Sequence, residues 1–131
     1  MRKTILSMVL VLFAIGAITA NEKVTNDQAA TTIMVEDFAG INSFCKAIVQ
    51  GDLDTVRKLI ALGEDVNQKS LGKTPAIFAA RYNRAEILKV LVLNGANVKI
   101  KCDQQGFDAK KYAEMSNATE ALKVIEEVLQ S

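Results

Sequence analysis

From Gly40 onward, apolar residues recur at three- and four-residue spacing in short bursts, and the bursts come in pairs separated by glycine, asparagine and aspartate. The clearest pair lies between Gly72 and Lys99. Ala76, Ile77, Ala79 and Ala80 give the first helix a thin face of mostly small residues, against which a neighbouring helix can pack closely. Ile87, Leu88, Leu91 and Val92 give the second helix its apolar stripe. Thr74 is a preferred cap and Pro75 suits the first helical position, so the first helix opens there. The second helix stops at Gly95, where a left-handed backbone costs little.

The same unit recurs on both sides. Upstream, Gly40-Ile41-Asn42-Ser43-Phe44 stands for Gly72-Lys73-Thr74-Pro75-Ala76, and Val56, Leu59, Ile60 and Gly63 take the slots of Leu88, Leu91, Val92 and Gly95. Downstream, Gly106, Asp108, Tyr112-Ala113, Leu122 and Ile125 repeat it. Gly51 and Asn83 are 32 positions apart, and Asn83 and Asn117 are 34 apart. Asp54, Glu86 and Glu120 share one slot in the first turn of each second helix, where the helix dipole favours an anion. Glu126 replaces Ile60 and Val92, which marks the third copy as a terminal cap with a polar outer face.

Thr74-Pro75-x-x-x-Ala79-Ala80, followed by Glu86-Ile87-Leu88 and Gly95-Ala96-Asn97-Val98, resembles the ankyrin repeat, whose signature is T-P-L-H-x-A at a period near 33 residues. The pattern departs at Ala76 and Ile77, where the family has leucine and histidine, so no histidine braces the turn. The resemblance implies an all-α fold, a short solenoid of stacked helix-turn-helix repeats with hairpin loops, the repeats covering about 39–70, 71–102 and 103–131. It also implies a non-catalytic module that binds a protein through its concave surface. The family's contact slots fall on Ser70, Leu71, Lys73, Arg81 and Tyr82 in the central copy, on Gln104, Gln105, Phe107, Met115 and Ser116 in the third, and on Val49 and Gln50 in the first. Leu71, Tyr82, Phe107 and Met115 are apolar or aromatic in slots a stack leaves exposed, as binding anchors are. The alternative is that Leu71 and Phe107 fold over neighbouring hairpins and finish the core.

The N-terminal pattern is different. Arg2 and Lys3 precede an uncharged apolar run from Ile5 to Ile18, broken only by Ser7 and Gly16 and ending in Thr19-Ala20. This is the order of a secretory signal peptide over residues 1–20, with the mature chain beginning near Asn21, in the periplasm or outside the cell of a bacterium. An uncleaved membrane anchor is the alternative, since the run touches the lower limit of a span. Residues 21–38 are polar and without helical period. They read as a tether, ordered only where Ile33, Val35 or Phe38 cover the first repeat.

Charge adds little. With 16 basic and 15 acidic residues the chain is near balance, so nothing steers it to nucleic acid. It contains no histidine, which removes Ser-His-Asp and Cys-His catalysis and histidine metal sites. Two distant cysteines cannot form a four-thiolate zinc site, and there is no phosphate-binding glycine loop. The acid pairs Asp52 with Asp54 and Glu64 with Asp65 fall at a helix start and in a turn, where repeats use them structurally. The expectation is no catalytic residue, no metal, no cofactor, and a chain that is monomeric when free and off the membrane once processed. Cys45 and Cys102 are separated by two repeat steps, too far for a disulfide. Cys45 reads as a core residue and Cys102 as a loop thiol open to the surface or to an intermolecular bond. The second functional reading is a cell-envelope accessory or immunity protein that protects or modulates an enzyme or toxin. A remoter one is an N-terminally anchored adaptor.

Overall fold

The computed structural model describes residues 39–131; the expected signal peptide and tether lie outside them. Among the described residues there are six helices in three antiparallel pairs: α1 (Ser43–Gln50) with α2 (Leu53–Ala61), α3 (Pro75–Arg81) with α4 (Ala85–Leu93), and α5 (Ala109–Met115) with α6 (Thr119–Gln130). Each first helix packs on the next first helix and each second on the next second, so one core runs through all three pairs.

The pairs are built alike because the same local chemistry is reused. Asn42, Thr74 and Asp108 are extended residues whose side chains accept the amides of Cys45, Ile77 and Lys111, which caps α1, α3 and α5. The turns inside the pairs need one left-handed residue each. Gly51, Asn83 and Asn117 supply it, with φ of 75°, 55° and 53°. Between α2 and α3 the chain doubles back through a tight hairpin. Ser70 and Lys73 exchange both backbone hydrogen bonds (2.9 and 3.1 Å), and the corner residues Leu71 and Gly72 both have positive φ, 51° and 76°, as this two-residue turn requires.

Helix α3 is buried from Pro75 to Ala80, since among the described first helices it is the one with a repeat on either side. Ala79, Ala80, Ala109 and Ala113 are fully inaccessible, so α3 and α5 meet on small side chains, as the central copy's composition implied. Ile77, in the histidine slot, fills the core at 0% exposure. Leu88 and Leu91 of α4 and Ile125 of α6 close the second layer. Glu126 faces solvent.

Adjacent repeats are also tied at their loops. The Asn67 side chain donates to Gly95 O (3.0 Å) and accepts from Asn97 N (2.8 Å), and Asp103 N donates to Gly72 O (2.9 Å). No described helix is long and apolar enough to cross a membrane.

Candidate functional site

Stacking the second and third repeats leaves a hollow of about 450 Å³ on the side formed by the hairpins and first helices. One wall is the Leu71–Lys73 hairpin and Gln104–Gln105, and the other is Arg81 at the end of α3 with Tyr112, Met115 and Ser116 of α5 and its cap. Seven of the ten contact slots named in the second and third copies converge here. Leu71 and Met115 are half exposed, at 50% and 55%, and give the hollow its apolar edges. The hairpin wall is fixed from the next repeat: Gln104 Nε2 donates to Leu71 O (2.9 Å). Gln104's carboxamide occupies space that a Cβ on Gly72 would invade, at 2.7 Å.

Three expected contacts fall elsewhere. Ser70 is buried at 7% exposure, because its arm of the hairpin turns toward the first repeat, where its Oγ accepts the Asn42 amide (3.0 Å). Phe107 is half-buried, its ring edge-on to Tyr112 with centroids 6.2 Å apart, so it finishes the third repeat. Tyr82 is half-buried beneath the Arg81 guanidinium, 5.6 Å from ring centroid. In the first repeat, Val49 is also a correction. Its side chain is 3% exposed and its carbonyl accepts two bonds from Arg84 (3.1 and 2.7 Å), while Gln50 is exposed.

Tyr112 is the lining residue that sequence reasoning missed. Its slot lies 34 positions from Phe78, a core slot, and only the hydroxyl signals more. That hydroxyl donates to Gln105 Oε1 (2.6 Å) and sits 3.3 Å from Cys102 Sγ. Cys102 is therefore not a surface thiol. It is 3% exposed, because the 102–107 loop curls over it, Cys102 N donating to Phe107 O (2.8 Å) and Gln105 N to the sulfur (3.3 Å). Burial raises this thiol, but the Tyr112 hydroxyl and the amides of Gln105, Phe107 and Gly106 outweigh it and bring it from 9.0 down to about 6. Tyr112 has one proton to give, so ionising Cys102 draws that proton from Gln105 to sulfur. Burial and this same contact push the Tyr112 phenol up to about 12. Cys45 behaves as a core residue: burial, then the Glu64 charge, pushes its thiol up to about 12.

The Cys102 environment predicts a pH effect. Between pH 6 and 9 the folded chain holds fewer protons at Cys102 than the unfolded chain, so stability from this group grows with pH and is lost as pH falls through 6. The stability gap between the wild type and Cys102→Ala is expected to widen from pH 6 to pH 8.5 in urea melts. A constant gap would show that the thiol stays protonated.

The described residues contain no group of three or more potential metal ligands from histidine, cysteine, aspartate and glutamate. What the fold and hollow define is a short helical repeat solenoid presenting a shallow, mixed polar and apolar surface. A family profile describing ankyrin repeats in three copies matches residues 44–128. The chain belongs to the ankyrin-repeat family, whose members are typically non-catalytic adaptors. It is similar to myotrophin of Xenopus tropicalis, 41% identical over 59 residues, which is 44% of this chain and 50% of that protein. It is also similar to "Ankyrin repeat, SAM and basic leucine zipper domain-containing protein 1" of Homo sapiens, 31% identical over 87 residues, 66% of this chain and 18% of that protein. The counterpart in Neofelis nebulosa is 30% identical over 88 residues, again 66% of this chain and 18% of the relative. The chain thus spans half or less of the length of these relatives.

Proposed function

We propose that this protein is a non-catalytic interaction module that holds a segment of a protein partner in the hollow between its second and third repeats. One observation carries the reading: side chains from two hairpins and two first helices converge on one hollow, with Leu71 and Met115 left exposed at its edges. Anchors of this kind dominate binding energy where a partner excludes water from them. The contact set is Leu71, Lys73, Arg81, Gln104, Gln105, Tyr112, Met115 and Ser116. A free monomer is the state proposed for the unbound chain, and protection or modulation of an enzyme or toxin is one use such a module would serve.

The module is proposed to work outside the cytoplasm. The pattern of Arg2, Lys3 and the Ile5–Ile18 run supports export. Mass spectrometry of the exported fraction should find a chain starting near Asn21, whereas an intact Met1 would favour anchoring.

The binding surface is tested by replacing Leu71 and Met115 together with aspartate. Partner capture should weaken at least about tenfold, the loss expected when an anchor worth more than ~1.4 kcal/mol is removed. Helical circular dichroism should stay unchanged, because both side chains are half exposed. Lys123→Asp, on the outer helix α6, should leave capture intact. Equal loss from both changes would place the surface elsewhere.

A further inference from the structure

We infer that the hollow between the second and third repeats takes an acidic peptide segment, its carboxylates held by Lys73 and Arg81 while an apolar side chain packs between Leu71 and Met115. The inference rests on the binding-module reading and adds the chemistry of the partner.

The argument begins with sign. Lys73 and Arg81 are the charged residues that line the hollow, and no carboxylate lines it. The chain as a whole is nearly balanced, 16 basic against 15 acidic residues, so two cations in one place do not follow from a basic composition. Neither pairs with a carboxylate among the described residues, whose ion pairs are Lys69 with Asp103 and Lys89 with Glu86. Asp103, the carboxylate adjoining this hairpin wall, is thereby committed to Lys69. A second hollow of about 280 Å³ makes the contrast. It lies between α4 and α6 and mixes Glu86, Glu120 and Glu127 with Lys89 and Lys123, so it carries both signs of charge where the first hollow carries one.

The cations are also positioned. Lys73 is held at the backbone by both hydrogen bonds of the hairpin bridge to Ser70, which sets where its side chain starts. The Arg81 guanidinium rests against the Tyr82 ring, which restricts it while leaving its N–H groups to donate in the plane. This gives Tyr82, outside the hollow, a positioning role. Gln104 and Gln105 add carboxamides that can donate to carboxylates or pair with the backbone of an extended segment. The hollow is open and shallow, as suits a short length of chain.

The probe is a blocked six-residue peptide of glutamates around a central leucine, titrated into the isotopically labelled protein and followed by amide chemical shifts. Shifts should concentrate on Leu71–Lys73, Arg81 and Met115–Ser116, and the same peptide with glutamine for glutamate should bind at least tenfold more weakly. Raising salt from 50 to 500 mM should weaken the acidic peptide alone. The decisive arm is a charge swap. Lys73→Glu with Arg81→Glu should lose the acidic peptide and gain a peptide with lysine for glutamate, a gain that a misfolded variant cannot show. Equal binding of the acidic and glutamine peptides, shifts confined to other faces, or no exchange of preference in the swapped variant would each overturn the inference. If any of these occurs while Leu71→Asp with Met115→Asp still weakens partner capture, the binding-module reading stands and only the partner's charge is wrong. If that pair also leaves capture untouched, the reading itself falls.

Discussion

Leu88→Ala is expected to destabilise the whole repeat stack by about 2–5 kcal/mol, the cost of deleting three carbons from a site that cannot collapse. Leu88 is 0% exposed in α4, and α4 packs against its own partner α3 and against the second helices on both sides. A cavity there loosens both interfaces of the repeat that, among the described residues, has two. Short repeat arrays owe much of their stability to such interfaces, and a domain of this size holds only roughly 5–15 kcal/mol in total. The variant should therefore unfold at markedly lower urea, in a single transition seen alike by circular dichroism and by Tyr82 and Tyr112 fluorescence. Leu62→Ala is the control: Leu62 is 84% exposed, and its removal should change stability by less than about 0.5 kcal/mol. A loss below about 1 kcal/mol for Leu88→Ala would mean that the second-helix layer closes over the gap, and that the stack is held mainly by its first helices.

Much of the fold was legible because each repeat restates the same local rules. A cap at Asn42, Thr74 and Asp108 and a carboxylate at Asp54, Glu86 and Glu120 are decided by neighbours a few positions away, and such signals survive in a linear string, whereas Gly51, Asn83 and Asn117 showed there only as markers of the period. The hollow was legible only where exposure follows from repeat position, as for Leu71, Lys73, Arg81 and Met115. Ser70 was misjudged because its direction depends on an amide 28 positions upstream. The burial of Cys102 is not legible because a loop residue can be covered by its own loop, and the choice between anchor and core stays open for Phe107 because the ring that receives it is Tyr112, itself in a core slot. The common cause is distance: each of these outcomes turns on a specific partner that periodicity does not encode.

Arg84 is the strongest instance, and it supports the second large effect. It occupies the cap position of α4 without making a side-chain cap bond, so the local sequence gives it no task. Its guanidinium instead reaches back 35 positions and donates through Nε and Nη2 to Val49 O (3.1 and 2.7 Å), near the end of α1, where orphan carbonyls and the negative end of the helix dipole favour a cation. Arg84→Ala should cost about 1.5–3 kcal/mol, the range for hydrogen bonds to charged groups that are partly buried. Arg84→Lys should recover only part of it, since an ammonium cannot reproduce the two-pronged contact. The space for this clamp comes from Gly51, where a Cβ would lie 3.0 Å from Arg84 Nη1. Gly51 also has φ of 75°, so Gly51→Ala should lose about 1–2 kcal/mol from backbone strain and a further part by displacing the guanidinium. The two costs share that second part. In a double-mutant cycle, Gly51→Ala should therefore cost less in the Arg84→Ala background than in the wild type, with a coupling of at least about 0.5 kcal/mol. Native-state hydrogen exchange should locate the loss, the amides of Cys45–Val49 losing protection before those of α5. Strict additivity would show that Gly51 serves the turn alone, and unchanged α1 protection in Arg84→Ala would show that the first repeat is held by its core contacts without the clamp.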